Sequence, residues 1–135
     1  MSTIASPPVT QRHTVSLPCG RHAPAVARRI TERWLRAADQ PYRVADAVLI
    51  VSELITNAVR HTRGSCSLTL TVQDGRLDIA VADQSEELPD LHARAGAGDH
   101  GGFGLEIVGR LGGQVRIVPA LGGKTVHVLL GPETG

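Results

Sequence analysis

Within the stretch SELITNAVRH (52–61), Glu53, Asn57 and His61 recur every fourth residue. A helix has 3.6 residues per turn, so a carboxylate, an amide and an imidazole share one stripe. Those groups have the chemistry of proton transfer and of oxygen ligation. A solvated polar face is the plain account of such a stripe. Here Leu49, Ile50 and Leu54 border it, however, and that looks more like the wall of a pocket.

Asp83 ends RLDIAVAD and continues the parity of Leu77, Ile79 and Val81. A carboxylate on the core side of a strand is costly without a partner. Capping of the strand end as it enters a loop is one account. A ligand offering a hydrogen-bond donor would satisfy Asp83 better. The third feature is GDHGGFGLEIV, where Gly101, Gly102 and Gly104 lie at a loop-to-helix junction. Free backbone N–H groups there suit an anion at the positive end of the helix dipole. It is not a dinucleotide fingerprint, because residue 107 is Ile where the third Gly belongs. Nor is GGKT (122–125) a phosphate loop, since residue 118 is Val where that motif needs Gly.

The elements that must position these groups are legible from periodicity. HTVSLP (13–18) alternates like a strand, and residues 23–39 place Val26, Ile30, Trp34 and Leu35 at helical spacing. After Pro41 a second helix is expected over about 43–62, with Val44, Val48, Val51, Ile55, Ala58 and Val59 facing the sheet. Opposite them fall Asp46, Glu53, Asn57 and Arg60, with His61 at the margin. CSLTLTV (66–72) alternates strictly, Asp74-Gly75 marks a hairpin, and RLDIAVAD returns. A Gly-, Ala- and Asp-rich segment (84–101) is too long and polar for a simple connection. FGLEIVGRL then forms a short helix stopped by Gly112-Gly113, and QVRIV and KTVHVLLG flank the turn PALGG. The order βααββ, loop, αββ argues for an α+β two-layer sandwich, mostly antiparallel, with the helices on one face.

Bulk properties bound the functions available. A chain of 135 residues with net charge +1 and no extended basic run has no electrostatic footprint for nucleic acid. No apolar run reaches the roughly 18 residues of a membrane span. Residues 1–12 read as a frayed tail, and one domain is expected over 13–131. Two cysteines, Cys19 and Cys66, make neither a disulfide framework nor a metal spacing, which fits a reduced, cytoplasmic setting. With only Trp34, Tyr42 and Phe103 as aromatics, the core must be built from Leu, Val, Ile and Ala.

Glu-x3-Asn-Ala on a helix, Asp at a strand end and Gly-x-Gly-Leu after a loop, in that order, resemble the Bergerat-fold ATPase superfamily. That superfamily includes gyrase and the histidine kinases. Within it the chain is similar to the single-domain anti-sigma factor serine/threonine kinases, over roughly residues 13–131. The resemblance implies an ATP and Mg²⁺ site between helices and sheet. Asn57 would hold the metal, Glu53 would be the general base, and Asp83 would accept from the adenine amino group. Gly102, Gly104 and Leu105 would close over the phosphates, residues 84–101 would form the mobile lid, and Arg60 and His61 could reach a phosphate. The family's strand-end motif Asp-x-Gly-x-Gly reads DQSEE here, and losing both glycines works against close backbone approach to the adenine. The family's last-strand Thr has two matches. Thr125 is the nearest hydroxyl, whereas Lys124 shares parity with Val126 and Val128.

By that resemblance the protein phosphorylates an anti-sigma factor antagonist and, in an alternate complex, sequesters a sigma factor. A homodimer is left open. The competing class is a non-catalytic nucleotide-sensing module that acts by sequestration alone. A histidine-kinase-like ATPase domain is a further alternative, and about 40 residues before the motif helix are too few for a dimerisation hairpin.

Overall fold

The computed structural model describes residues 10–18, 20–62, 64–86, 108–109 and 112–132. Strand β1 (Thr10–Pro18) leads into helix α1 (Ala23–Ala37), a 3-10 turn (Pro41–Arg43) and helix α2 (Val44–His61). Strands β2 (Ser65–Gln73) and β3 (Arg76–Asp83) follow, and β4 (Gln114–Ala120) and β5 (Gly123–Leu130) close the sheet. The strand order is β1-β2-β3-β5-β4, with every neighbour antiparallel. The expected two-layer α+β architecture is present. Strand β1 begins at Thr10, inside the stretch expected to be a tail.

Turn chemistry fixes the register. Asp74 and Gly75 both adopt left-handed backbone (φ 54° and 77°), the pairing that a two-residue type I′ hairpin requires. Gln73 therefore pairs with Arg76, and Cys66, Leu68, Leu70 and Val72 share the buried face with Leu77, Ile79 and Val81. The β4–β5 turn is shorter than PALGG. Pro119 and Ala120 belong to β4, leaving Leu121-Gly122 as the turn. Proline is tolerated there because β4 is an edge strand. Of the expected short helix, only Val108 and Gly109 are described, both helical, and Val108 is buried.

The helices bury different faces from those expected. In α1 the buried row is Ala23, Ala27, Thr31 and Leu35, while Val26 is exposed. Ile30 and Trp34 are only half-buried, with the indole stacked on His13 at a centroid distance of 6.4 Å. In α2 the buried residues are Ala47, Ile50, Val51, Leu54, Ile55, Asn57 and Ala58. Val44 and Val59 reach only the margin of the core. The cause is that α2 packs against α1 as well as the sheet, so its covered face is wider and rotated from a single stripe. Small residues at Ala27 and Ala47, both fully buried, fit that close helix pairing.

One buried cation fastens the two layers. Arg43 lies at the start of α2, and its Nη2 donates to the carbonyls of Gly75 (2.7 Å) and Gly131. It thereby ties the helix to the β2–β3 hairpin and to the end of β5. Arg43→Met should cost about 2 kcal/mol or more, since a charge-assisted hydrogen bond contributes roughly 1.5–3 kcal/mol. Urea denaturation measures this, and a loss below about 0.5 kcal/mol would mean water replaces the guanidinium at no cost.

Candidate functional site

The sheet places Asp83 where its parity predicted, at the inward-facing end of β3. What the sequence left open is its partner. The β3–β5 register pairs Asp83 with Lys124, and Lys124 Nζ donates to both carboxylate oxygens at 3.0 Å. Both side chains are 3% exposed. The same ammonium donates to the Ser85 carbonyl at 3.1 Å, and the Ser85 N–H donates back to Asp83 Oδ1 at 2.9 Å. An ammonium has three protons, and all three are used.

The backbone around this pair is closely fitted. A Cβ on Gly123 would lie 2.3 Å from the Asp83 carbonyl oxygen, so only glycine lets β5 approach β3 there. The neighbouring Gly122 takes the left-handed conformation of the turn (φ 76°), and its N–H donates to Glu86 at 2.9 Å.

Thr125 is corrected as an adenine contact. It pairs with Ala82, one residue out of phase with Asp83, and so lies on the opposite face of the sheet. There it neighbours Thr69, Asp78 and His127, whose Nδ1 is 3.1 Å from both Asp78 oxygens. Alternation along KTVHVLL gives this parity, because Lys124, Val126, Val128 and Leu130 are its buried residues.

The C-terminal half of α2 supplies the other groups. Asn57 is buried (8% exposed) in the core-facing row, Glu53 is half-buried one turn earlier, His61 is half-buried and Arg60 is exposed. The expectation that Asn57 lies opposite the sheet-facing row is thus corrected, since the rotated helix carries it inward. Helix α2 ends at His61, β2 starts at Ser65, and Ser67 pairs with Ala82. The end of α2 and the end of β3 therefore lie at the same end of the sandwich, where Asn57 and Asp83 are both buried. Gly102, Gly104, Leu105 and the lid beyond Glu86 lie outside the described residues, as does Gly101.

An amide oxygen one turn from a carboxylate is a hard-oxygen donor set, and that chemistry fits Mg²⁺, which takes the rest of its shell from water and phosphate. Among the described residues no helix is long and apolar enough to cross a membrane.

An antiparallel sheet under two helices, with a polar edge at the end of α2, defines an ATPase-like α+β domain. Residues 20–129 match the model of the histidine kinase-like ATPase domain, and the chain belongs to that family. It is similar to the crystal structure of the RsbU and RsbW domains of Rv1364c from Mycobacterium tuberculosis, with a TM-score of 0.63 at 22% identity. That match covers 89% of this chain and 32% of the other, so the chain spans about a third of its length. A histidine kinase domain from Erythrobacter litoralis EL346 blue-light activated histidine kinase matches with a TM-score of 0.48 at 26% identity. It covers 64% of this chain and 43% of that one. No curated protein matches.

The buried pair gives a direct test of the site's electrostatics. Removing one partner of a buried ion pair costs roughly 3–5 kcal/mol, because the other charge is left uncompensated. Lys124→Met and Asp83→Asn should each destabilise the fold, and the double variant should cost less than their sum. A coupling below about 0.5 kcal/mol in the double-mutant cycle would show that the two charges do not interact in solution.

Proposed function

We propose that the protein is an ATP-binding regulatory serine/threonine kinase of the partner-switching kind. Its acceptor would be a hydroxyl on a small anti-sigma factor antagonist, and its alternate partner a sigma factor. The observation that carries this reading is Asn57, buried at the inward end of α2 with Glu53 one turn before it. A bare solvated face would not bury its amide. Family membership supports ATP as the ligand. The resemblance to the anti-sigma kinases supports the choice of partners.

Phosphoryl transfer depends mainly on positioning and charge neutralisation. Mg²⁺, when bound, would draw charge from the phosphate oxygens. Asn57 offers the amide oxygen that holds it. The acceptor hydroxyl oxygen attacks the γ-phosphorus, the bond to the bridging oxygen of ADP breaks, and the Glu53 carboxylate takes the hydroxyl proton. Asp83 accepts from the adenine amino group. Arg60 and His61, at the last turn of α2, would by the family resemblance reach a phosphate. Gly102, Gly104 and Leu105 are proposed to close over it.

A specific observation favours a second reading. Asp83 already has a cation of its own in Lys124. A module that senses nucleotide weakly and acts by sequestration alone would tolerate that substitution better than an efficient kinase.

Two variants test the leading reading. Asn57→Ala should remove the magnesium-dependent part of ATP binding in calorimetry while the circular dichroism spectrum stays native. Binding that keeps its magnesium dependence would sink the metal assignment. Glu53→Gln should still bind ATP but transfer phosphate to a purified antagonist about 10²-fold more slowly, or worse. An unchanged transfer rate would mean that another group activates the acceptor. Failure of the wild-type protein to phosphorylate any antagonist, with ATP binding intact, would select the sequestration reading.

A further inference from the structure

We infer that Lys124 sets how much of the nucleotide affinity comes from the base, by keeping Asp83 satisfied when no base is bound. The inference rests on the proposed nucleotide site. A carboxylate buried alone would be a strong acceptor, and an entering amino group would relieve its desolvation. Here Asp83 Oδ1 already accepts from Lys124 and from the Ser85 N–H, and Oδ2 accepts from Lys124. A carboxylate has about four lone-pair positions, so little capacity is left for a ligand. An adenine amino group adds one bond to a carboxylate that is already neutralised.

The same arrangement weakens discrimination between bases. A lone carboxylate rejects guanine, whose O6 acceptor replaces the amino donor of adenine. With an ammonium neutralising both oxygens, the carboxylate repels O6 less than a lone one would. The backbone at Lys124 is also closely held. Its neighbour Gly123 is pressed on the Asp83 carbonyl, Pro119 faces it across the β4–β5 ladder, and Gly122 is bonded to Glu86. The base end of the site is therefore complete without a base.

Calorimetry with ADP and GDP, each with magnesium, tests this on wild type, Lys124→Thr and Lys124→Gln. Lys124→Gln leaves a neutral donor beside Asp83 and covers the case in which Lys124→Thr does not fold. Both variants should bind ADP tighter, by roughly 10-fold for Lys124→Thr, as expected when a buried carboxylate regains its ligand bond. GDP should not gain, so the preference for ADP over GDP rises. Adding Asp83→Asn to either variant should abolish the gain. This outcome is distinctive because removing a cation ordinarily weakens nucleotide binding. Folded variants with the wild-type preference for ADP over GDP would overturn the inference while leaving the site intact. Absence of ADP binding in wild type and variants alike would overturn the nucleotide site itself.

Discussion

A carboxylate at the inward end of a central strand can be kept only if a positive charge or several donors meet it, and this requirement organises one end of the molecule. Strand β5 must bring Lys124 opposite Asp83, which fixes the β3–β5 register. That register demands glycine at 123, where the backbones press together, and a turn tight enough to start β5 at once. It also turns the next residue, Thr125, to the far face. Slippage by one residue would bury the hydroxyl, expel the ammonium and leave Asp83 alone in the core. The pair costs desolvation and need not add net stability over an apolar pair, but it penalises every alternative pairing of these two strands.

The helical layer answers a different constraint. With few aromatics, the core has to be filled by aliphatic side chains from elements that approach closely. Ala27 and Ala47 fit a close pairing of α1 and α2, and α2 then turns Ile50 and Leu54 inward between helix and sheet. Asn57 is carried in by the same rotation. Its burial is thus a consequence of helix–helix packing as much as of any ligand. Arg43 at the other end of α2 restrains that helix against two carbonyls of the sheet layer. One end of α2 is clamped by a structural cation, and the other presents the polar groups.

Much of this was legible in the sequence because period-2 alternation and turn residues are local signals. Strict alternation in CSLTLTV and RLDIAVAD, with Asp74-Gly75 between them, led to the observed hairpin and to the inward Asp83. The same alternation in KTVHVLL pointed to Lys124, while the demand for a family threonine pointed to Thr125. Periodicity was the better guide, since a strand cannot turn two successive side chains to one face. The helical faces were harder to read. A helix covered from two sides has no single apolar stripe, so Val26 and Val48 were expected to face inward, whereas Ala27 and Leu54 are the ones buried. Arg43 carried no signal at all, because its partners are carbonyls distant in the chain, at Gly75 and Gly131.

The departure at Lys124 and the departure at DQSEE belong together physically. Glycines after a strand-end aspartate would let the backbone approach a base, but here Ser85 closes back on Asp83 through its own N–H and receives the Lys124 ammonium on its carbonyl. Residues that elsewhere would be left open for a ligand are used internally. A site whose acceptor is satisfied by its own chain keeps its shape whether or not a ligand is present. Its helix end carries Asn57, buried, with Glu53 half-buried one turn earlier. The strand end of the site favours a fixed geometry. It can hold its shape with little help from a base, because Lys124 and the Ser85 N–H already occupy Asp83.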